Sequence, residues 1–151
     1  MKRLIADKTV GKLAKWLRIL GIPCEMKEIK SLREVPEGAI LFTRSGRLAS
    51  PRTILIESDK VEEQLEYVFH KLPWLKDQIK PFTLCIRCNQ PLENIPKRDV
   101  LGLVPDYVYE NFLHFKRCPA CGQIYWPGSH QKRMKAWGQA KISFLKKESK
   151  P

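Results

Sequence analysis

Hydrophobic residues in the first half of the chain fall into short apolar runs, with one stretch of helical periodicity between the first two. The runs at 2–6, 22–26, 39–43 and 53–57 have the length and composition of buried strands. Within 10–20, apolar residues recur every three or four positions, which predicts a helix. Mostly apolar strands joined by helices are typical of a parallel sheet, so we expect an α/β fold.

A second helix and a boundary follow the last predicted strand. The helix is predicted over 61–72, with Asp59 and Glu62 in capping-box spacing at its start. Residues 73–82 combine two prolines with three charges and no clean period, which indicates a linker. The expected organisation is an α/β domain over 1–75, a second module over 83–130 and a basic helix or tail over 131–151.

Two C-x-x-C pairs define the second module. A C-x-x-C turn presents two thiolates to one ion, with Zn–S distances of about 2.3 Å, and two such turns complete a closed tetrahedral site. A closed site is structural, so we expect one structural Zn²⁺ in a ribbon; a redox pair, the alternative, needs only one C-x-x-C. The 29 residues between the pairs predict an insertion, with a helix over 105–115. The predicted ligands are Cys85, Cys88, Cys118 and Cys121.

The charge of the chain narrows the range of partners. Its formal net charge of +12 suits contacts with a phosphate backbone, whereas solubility alone is the alternative explanation. The cations on the first predicted helix form a stripe opposite its apolar face, which is also what a solvated face looks like. The candidate nucleic-acid contacts are Lys12, Lys15 and Arg18 on that helix, Arg87 in the first cysteine pair, and Lys132, Arg133 and Lys135 in the tail.

The tail also carries apolar residues among its cations. Aromatic groups interleaved with positive charges stack on bases while the charges hold phosphates. An amphipathic helix that docks on the domain explains the same pattern, and the sequence leaves both interpretations open. The apolar residues are Met134, Trp137, Ile142, Phe144 and Leu145.

Polar residues follow directly on three of the predicted strands. They are Asp7, Thr43, Arg44, Ser45, Glu57 and Asp59. Because ligands of parallel sheets bind beyond the carboxyl ends of the strands, these residues form a candidate site. Its three carboxylates could hold Mg²⁺ or Mn²⁺ and so activate water for phosphodiester cleavage. The alternative is that Asp7 and Asp59 only cap the helices that follow them.

The expected compartment is the cytoplasm. No apolar run approaches the 18 or so residues of a membrane span, and the first residues lack a secretory pattern. Paired C-x-x-C motifs fit a reducing environment. The fifth cysteine, Cys24, lies among apolar residues and is expected to be buried as a small hydrophobe.

Several motifs taken together resemble the Mut7-C RNase domain family over about residues 3 to 134. They are Leu4-Ile5-Ala6-Asp7, Gly11-Lys12-Leu13-Ala14-Lys15-Trp16-Leu17-Arg18, Leu41-Phe42-Thr43-Arg44, Gln64-Leu65, Arg87-Cys88-Asn89, Cys118-Pro119-Ala120-Cys121-Gly122 and Tyr125-Trp126-Pro127-Gly128-Ser129-His130. The resemblance implies a PIN-like nuclease fold fused to a C-terminal zinc ribbon. It also implies metal-dependent RNA cleavage by clustered acidic residues.

This chain departs from the family pattern in its acidic residues. Ser45 stands where members usually carry an acidic residue, and an acidic pair that members tend to have before a helix is replaced by scattered glutamates. The glutamates are Glu28, Glu34 and Glu37. Since losing a carboxylate weakens ion binding and water activation together, catalysis itself becomes a question.

Two hypotheses follow from the sequence. In the first, the protein is a PIN-like endoribonuclease with a reduced site: Asp7 is the main metal ligand, Glu57 and Asp59 assist, and Thr43 and Arg44 position the phosphate for attack by water. In the second, the nuclease fold is a catalytically inactive scaffold that binds RNA or a ribonucleoprotein. A zinc-dependent protein adaptor is a third possibility, but it leaves the positive charge unexplained.

Overall fold

The computed structural model of the chain describes residues 2–127. Its first unit contains the four predicted strands and both predicted helices, each slightly shorter than the sequence pattern indicates. The elements are β1 (Leu4–Ala6), α1 (Gly11–Ile19), β2 (Glu25–Met26), β3 (Ile40–Thr43), β4 (Thr53–Leu55) and α2 (Val61–Lys71). A 3-10 turn (Lys8–Val10) leads into α1. After the helix, the chain turns at Gly21, which has a φ of +83°.

The four strands form one parallel sheet in the order β2-β1-β3-β4. The predicted parallel α/β fold is therefore confirmed. Since β1 and β3 are the central strands, their carboxyl ends lie side by side, and Ala6 is in register with Phe42. This juxtaposition sets the geometry of the sheet edge described below.

The helices cover one face of the sheet, and the long connections cover the other. Successive residues of β1 point to opposite faces, so Leu4 and Ala6 join the main apolar cluster while Ile5 joins a smaller one. The main cluster is built by α1, α2 and the strands, with Leu13, Leu17, Phe42, Leu65 and Phe69 among its buried members. The smaller cluster includes Ile29, Val35, Leu41 and Leu48.

The segment predicted as a linker is part of the first unit. Residues Pro73–Gln78 form a 3-10 turn after α2, and Leu75 is fully buried in the main cluster. Trp74 and Ile79 pack against the same cluster. The linker prediction was wrong here because the apolar residues of this segment lack a regular period, although they still close the core.

The capping prediction for α2 was also wrong. The capping position is occupied by Lys60, which makes no side-chain cap, and a turn held by Ser58 precedes the helix. The Ser58 hydroxyl accepts the backbone N–H of Lys60 at 3.1 Å and donates to the carboxylate of Glu63. Gln64 then donates from its buried side chain to the Ser58 carbonyl at 2.8 Å, which fixes this turn.

The second unit is a three-stranded antiparallel sheet with a helical insertion. Its strands are ordered β5-β6-β7, and its own apolar cluster includes Val108 and Phe115. The predicted helix in the insertion is confirmed, but it ends at Asn111 because Phe115 begins a strand. The elements are β5 (Glu93–Ile95), α3 (Asp106–Asn111), β6 (Phe115–Arg117) and β7 (Ile124–Tyr125).

Candidate functional site

The four cysteines of the two C-x-x-C pairs come together between the strands of the second unit. All four sulfur atoms lie within 4.8 Å of one another. The Sγ atoms of Cys85 and Cys121 are 3.8 Å apart. A tetrahedral ion with Zn–S bonds of about 2.3 Å separates its sulfurs by about 3.8 Å, so the cluster has the size that Zn²⁺ needs.

The two C-x-x-C turns have the same backbone geometry. In each turn, the residue after the second cysteine donates its N–H to the carbonyl of the first: Asn89 to Cys85 and Gly122 to Cys118, both at 2.9 Å. Both donors adopt a left-handed conformation, with φ of 59° at Asn89 and 80° at Gly122. Asn tolerates this region better than most residues other than Gly. Asn89 was quoted above only as part of a family motif, although its position after Cys88 matches that of Gly122.

Hydrogen bonds within the thiol cluster shift the pKa values of Cys85 and Cys88 in opposite directions. Burial raises the pKa of Cys85, but hydrogen bonds from the Tyr125 hydroxyl and nearby backbone N–H groups outweigh it and lower this pKa to about 7. The hydrogen bond with Cys121, together with partial desolvation, raises the pKa of Cys88 to about 12. A bound dication would deprotonate coordinating thiols outright. Tyr125 is a further residue that the sequence analysis missed.

Four thiolates on one dication would leave no open position for substrate or water, so such a site is structural. What the ion would supply is a fixed crosslink between the two turns. Cys24 lies outside this cluster, fully buried in the core of the first unit, as predicted. Burial raises the pKa of the Cys24 thiol to about 12, so it stays protonated at neutral pH.

Arg18 joins the two units of the structure. Its guanidinium is 4 % exposed and donates to the carbonyls of Cys24 and Ile86, both at 2.8 Å, and to that of Arg87 at 3.3 Å. Ile86 and Arg87 are the two residues between the first pair of cysteines. Arg18 is therefore not part of an exposed basic stripe, and the prediction that it contacts nucleic acid was wrong on this point. Its partners are backbone atoms 68 and 69 positions away, which no sequence pattern signals.

One further contact holds the first cysteine turn against the first unit, and the chain that leads into the turn packs beside Gly21. The Asn89 side-chain oxygen accepts the backbone N–H of Cys24 at 2.9 Å. Beside it, the backbone of Lys80 donates to the Leu20 carbonyl at 2.8 Å. Gly21 makes this approach possible, because a Cβ there would lie 2.1 Å from the Lys80 carbonyl oxygen.

Asp7 lies at the carboxyl end of β1 and serves as a cap. Its carboxylate is 4 % exposed and accepts the Thr9 backbone N–H at 3.0 Å, the Thr9 hydroxyl and the Thr43 hydroxyl. These bonds satisfy both carboxylate oxygens and tie the ends of the two central strands together. The alternative that Asp7 caps the following turn is therefore confirmed. Thr9 was missed, although a Ser or Thr two residues after a capping Asp is a recognisable partner.

The segment after β3 is held by the same network. The backbone N–H of Arg44 donates to the Thr9 hydroxyl at 2.9 Å, and that of Ser45 donates to the Thr43 hydroxyl at 3.0 Å. The Arg44 guanidinium reaches the Glu57 carbonyl at 3.2 Å. The structure thus brings Asp7, Thr43, Arg44 and Ser45 together at one edge of the sheet, as predicted.

The remaining acidic candidates stay apart from this network. The Glu57 and Asp59 side chains are exposed. Within residues 2–127, the only group of three or more His, Cys, Asp or Glu side chains placed to share an ion is the four-cysteine cluster. The arrangement of carboxylates therefore does not fit the three-carboxylate Mg²⁺ or Mn²⁺ site, and we derive no cleavage step through such an ion.

The basic candidates differ in their surroundings. Lys12 and Lys15 are exposed on α1, and Arg87 is exposed on the first cysteine turn. Lys8 precedes them and forms an exposed ion pair with Glu28 at 3.6 Å. The candidates Lys132, Arg133 and Lys135, with the whole predicted tail over 131–151, lie outside the described residues.

Comparison with known proteins identifies the family. The model of the Mut7-C RNAse domain matches residues 2–137, which is most of the chain and includes both units. No curated protein and no solved structure matches the chain significantly. Within the described residues, no helix has the length and apolar character needed to cross a membrane. The chain thus belongs to the Mut7-C RNAse domain family.

Proposed function

We propose that this protein binds RNA along a basic path that runs from the sheet edge, over α1, to the first cysteine turn. The observation that carries the proposal is that four exposed cations lie beside the start of α1, along it and on the turn that Arg18 of α1 holds. Members of the series are Arg44, Lys12, Lys15 and Arg87.

The two ends of the path are fixed by hydrogen bonds. At the start of α1, the Thr9 hydroxyl accepts the Arg44 backbone N–H. At its end, the buried Arg18 holds the carbonyl of Arg87. The nine residues of α1 span about 14 Å, at 1.5 Å per residue.

The middle of the path is the exposed face of α1. Lys12 and Lys15 are three residues apart, so their side chains are neighbours on the helix surface. No described carboxylate forms an ion pair with either lysine. Exposed ammonium groups without acidic partners are suited to phosphates, and they position a nucleic acid without reading its sequence.

The cysteine turn supports this path indirectly. We propose that the four cysteines hold one structural Zn²⁺, which would keep the turn that carries Arg87 in its observed shape. We further propose that the parallel sheet is PIN-like and that the protein works in the cytoplasm, where thiolates stay reduced. Binding to a ribonucleoprotein would use the same exposed cations.

The arrangement of the carboxylates supports RNA binding without cleavage. Asp7 is committed to three hydrogen bonds, Glu57 and Asp59 are exposed, and Ser45 adds no charge. The second candidate, a metal-dependent endoribonuclease with a reduced acidic site, is favoured by the family description and by the position of Asp7 beside Thr43 and Arg44.

The Asp7→Asn variant separates these two candidates. Asn keeps an oxygen for the Thr9 N–H, but its amide nitrogen cannot accept the Thr43 hydroxyl, so the variant is expected to lose about 1–3 kcal/mol in its free energy of unfolding and to stay folded. Purified parent and variant are incubated with labelled single-stranded RNA and Mn²⁺ or Mg²⁺. We expect both to bind RNA with equal affinity and neither to cleave it. Cleavage by the parent that disappears in Asp7→Asn would establish the nuclease instead.

Removing the two lysines of α1 tests the path itself. For single-stranded nucleic acid, each phosphate contact contributes about 0.7 to the slope of log affinity against log salt. Lys12→Gln combined with Lys15→Gln should therefore weaken RNA binding and reduce that slope by about 1.4. The measurement is a salt titration of RNA affinity by fluorescence anisotropy.

The matched control removes two lysines from the ends of α2, away from the proposed path. Lys60 and Lys71 are exposed at the two ends of α2, so Lys60→Gln with Lys71→Gln lowers the net charge equally. We expect the control to change the salt slope much less than the α1 variant. Equal slopes for the two double variants would show that only net charge matters and would contradict the proposed path.

A further inference from the structure

Exposed large apolar side chains are concentrated on the insertion of the second unit. Within residues 2–127, six such residues are exposed, and four of them lie between positions 101 and 113. Single exposed leucines are ordinary, but four large exposed apolar side chains on one short insertion are candidates for a surface that another segment covers. The four, which we call the ribbon patch, are Leu101, Leu103, Tyr107 and Leu113, with exposed fractions of 64, 63, 66 and 74 %.

We propose that residues 134–145 of this chain cover the ribbon patch in the same molecule. This inference does not depend on the proposed RNA binding. Its first support is the direction of the chain. β7 runs antiparallel to β6 with Tyr125 opposite Lys116, so the chain leaves β7 towards Phe115 and the residues before it, which include Leu113.

The last described residues confirm that direction. Trp126 packs against the apolar cluster of the second unit, to which α3 contributes Val108. The chain thus reaches Pro127 close to the insertion. The seven residues from there to Met134 can span up to about 23 Å when extended, which is ample for a return onto α3.

The sequence of the proposed occupant suits an apolar surface. At 100° per residue, its five apolar positions fall within an arc of about 160°, which they share with Gly138 and Lys141. The positions are Met134, Trp137, Ile142, Phe144 and Leu145. An apolar face of this kind matches the leucines and tyrosine of the ribbon patch, whereas RNA would offer no apolar partner for Leu101, Leu103 or Leu113.

Charge complementarity favours the same pairing. Residues 128–151 contain seven basic side chains and one acidic one. By contrast, α3 carries the exposed acids Asp106 and Glu110 and no basic residue. The family match gives an independent argument, because it continues past the described residues to Trp137. The segment with Met134 and Trp137 thus belongs to the same family domain as the ribbon.

The docking has a measurable consequence for α3. This helix has only six residues, and short helices persist through tertiary contacts rather than through their own hydrogen bonds. Its amides, including those of Tyr109 and Phe112, donate to carbonyls of the same helix segment. Uncovering the ribbon patch should therefore make these amides exchange faster.

Hydrogen exchange on the full chain tests the proposal. In the Met134→Ser, Trp137→Ser double variant, amides over 101–113 are expected to exchange about tenfold faster than in the parent. The matched control is Gln139→Ala with Ser143→Ala, which changes uncharged polar residues of the same segment outside its apolar arc and should leave exchange unchanged. Unaltered metal content shows that the ribbon is still folded in each variant.

A second measurement tests the same contact with substitutions in the ribbon patch. Leu103→Ser with Tyr107→Ser changes exposed residues only, so the fold is expected to persist. The NMR signal of the Trp137 indole N–H should shift in this variant while that of Trp16 does not. The proposal is overturned if exchange over 101–113 and the Trp137 signal are both unchanged. It is equally overturned if protection of 101–113 is lost on dilution, which indicates a second copy, or develops only when RNA is added.

Discussion

Removing the proposed Zn²⁺ from the four-cysteine cluster is expected to unfold the second unit while the parallel sheet persists. A unit of this size with one small apolar cluster gains only a few kcal/mol from burial, whereas structural Zn²⁺ in small domains contributes roughly 10–16 kcal/mol. The second ligand turn joins β6 to β7 and the first lies just before β5, so the three strands should lose their order together. Amide exchange in β5 to β7 should rise by at least about a hundredfold after chelation.

A single substitution should reproduce the effect of chelation. Cys118→Ser removes one thiolate from the second turn, without touching the turn that Arg18 holds. The control is Cys24→Ala, which removes a buried cysteine outside the cluster and should keep one Zn²⁺ per chain. Zinc content by elemental analysis and exchange by mass spectrometry are the readouts. The structural role of zinc would be refuted if freshly purified reduced protein contained no zinc. It would also be refuted if amide exchange in β5 to β7 did not change after chelation.

Elements with a regular period could be predicted from the sequence. The apolar runs gave β1 to β4, and helical spacing gave α1 and α2, because burial on a sheet or helix face imposes that period on the residues. The 3-10 turn at Pro73–Gln78 was taken for a linker because a turn this short buries residues without repeating a pattern. Leu75 in particular is buried by its place beneath α2.

The sheet edge was predicted in part. Asp7, Thr43, Arg44 and Ser45 meet because β1 and β3 are neighbours, which follows from a parallel sheet with this strand order. The position of Glu57 could not be derived in the same way. Since β4 is separated from β1 by β3, its end lies about 10 Å from that of β1 at the usual strand spacing. Convergence of carboxylates therefore depends on the loop conformation after β4, which the sequence does not specify.

For Arg18, the role predicted from the sequence differs from the role observed in the structure. On a helical wheel it continues the series of Lys12 and Lys15, so it was assigned to an RNA-binding face. The structure buries it, because its long side chain can reach the carbonyls of Cys24 and Ile86 across the boundary between the two units. The planar guanidinium is suited to such a site, since it offers several donors in fixed directions.

Replacing Arg18 with Met is therefore expected to lower the free energy of unfolding by about 3 kcal/mol. The substitution removes charge-assisted hydrogen bonds to three carbonyls and leaves buried acceptors without donors, each of which costs about 1–3 kcal/mol. Arg18→Lys should recover only part of this loss, because one ammonium cannot reach both the Cys24 and the Ile86 carbonyls with the geometry of the fork. Urea unfolding and amide exchange over 85–89 measure the effect.

Lys15→Met provides the matched control on the same helix. Lys15 is exposed, so its substitution should change the free energy of unfolding by no more than about 0.5 kcal/mol while reducing the salt slope of RNA binding by about 0.7. Arg18→Met should show the opposite combination, a large loss of stability and an unchanged salt slope in the folded protein. If Arg18→Met instead lowered the slope and left unfolding unaffected, the Arg18 guanidinium would be contacting phosphate, and the joint between the two units would rest on other contacts, such as that between Asn89 and Cys24.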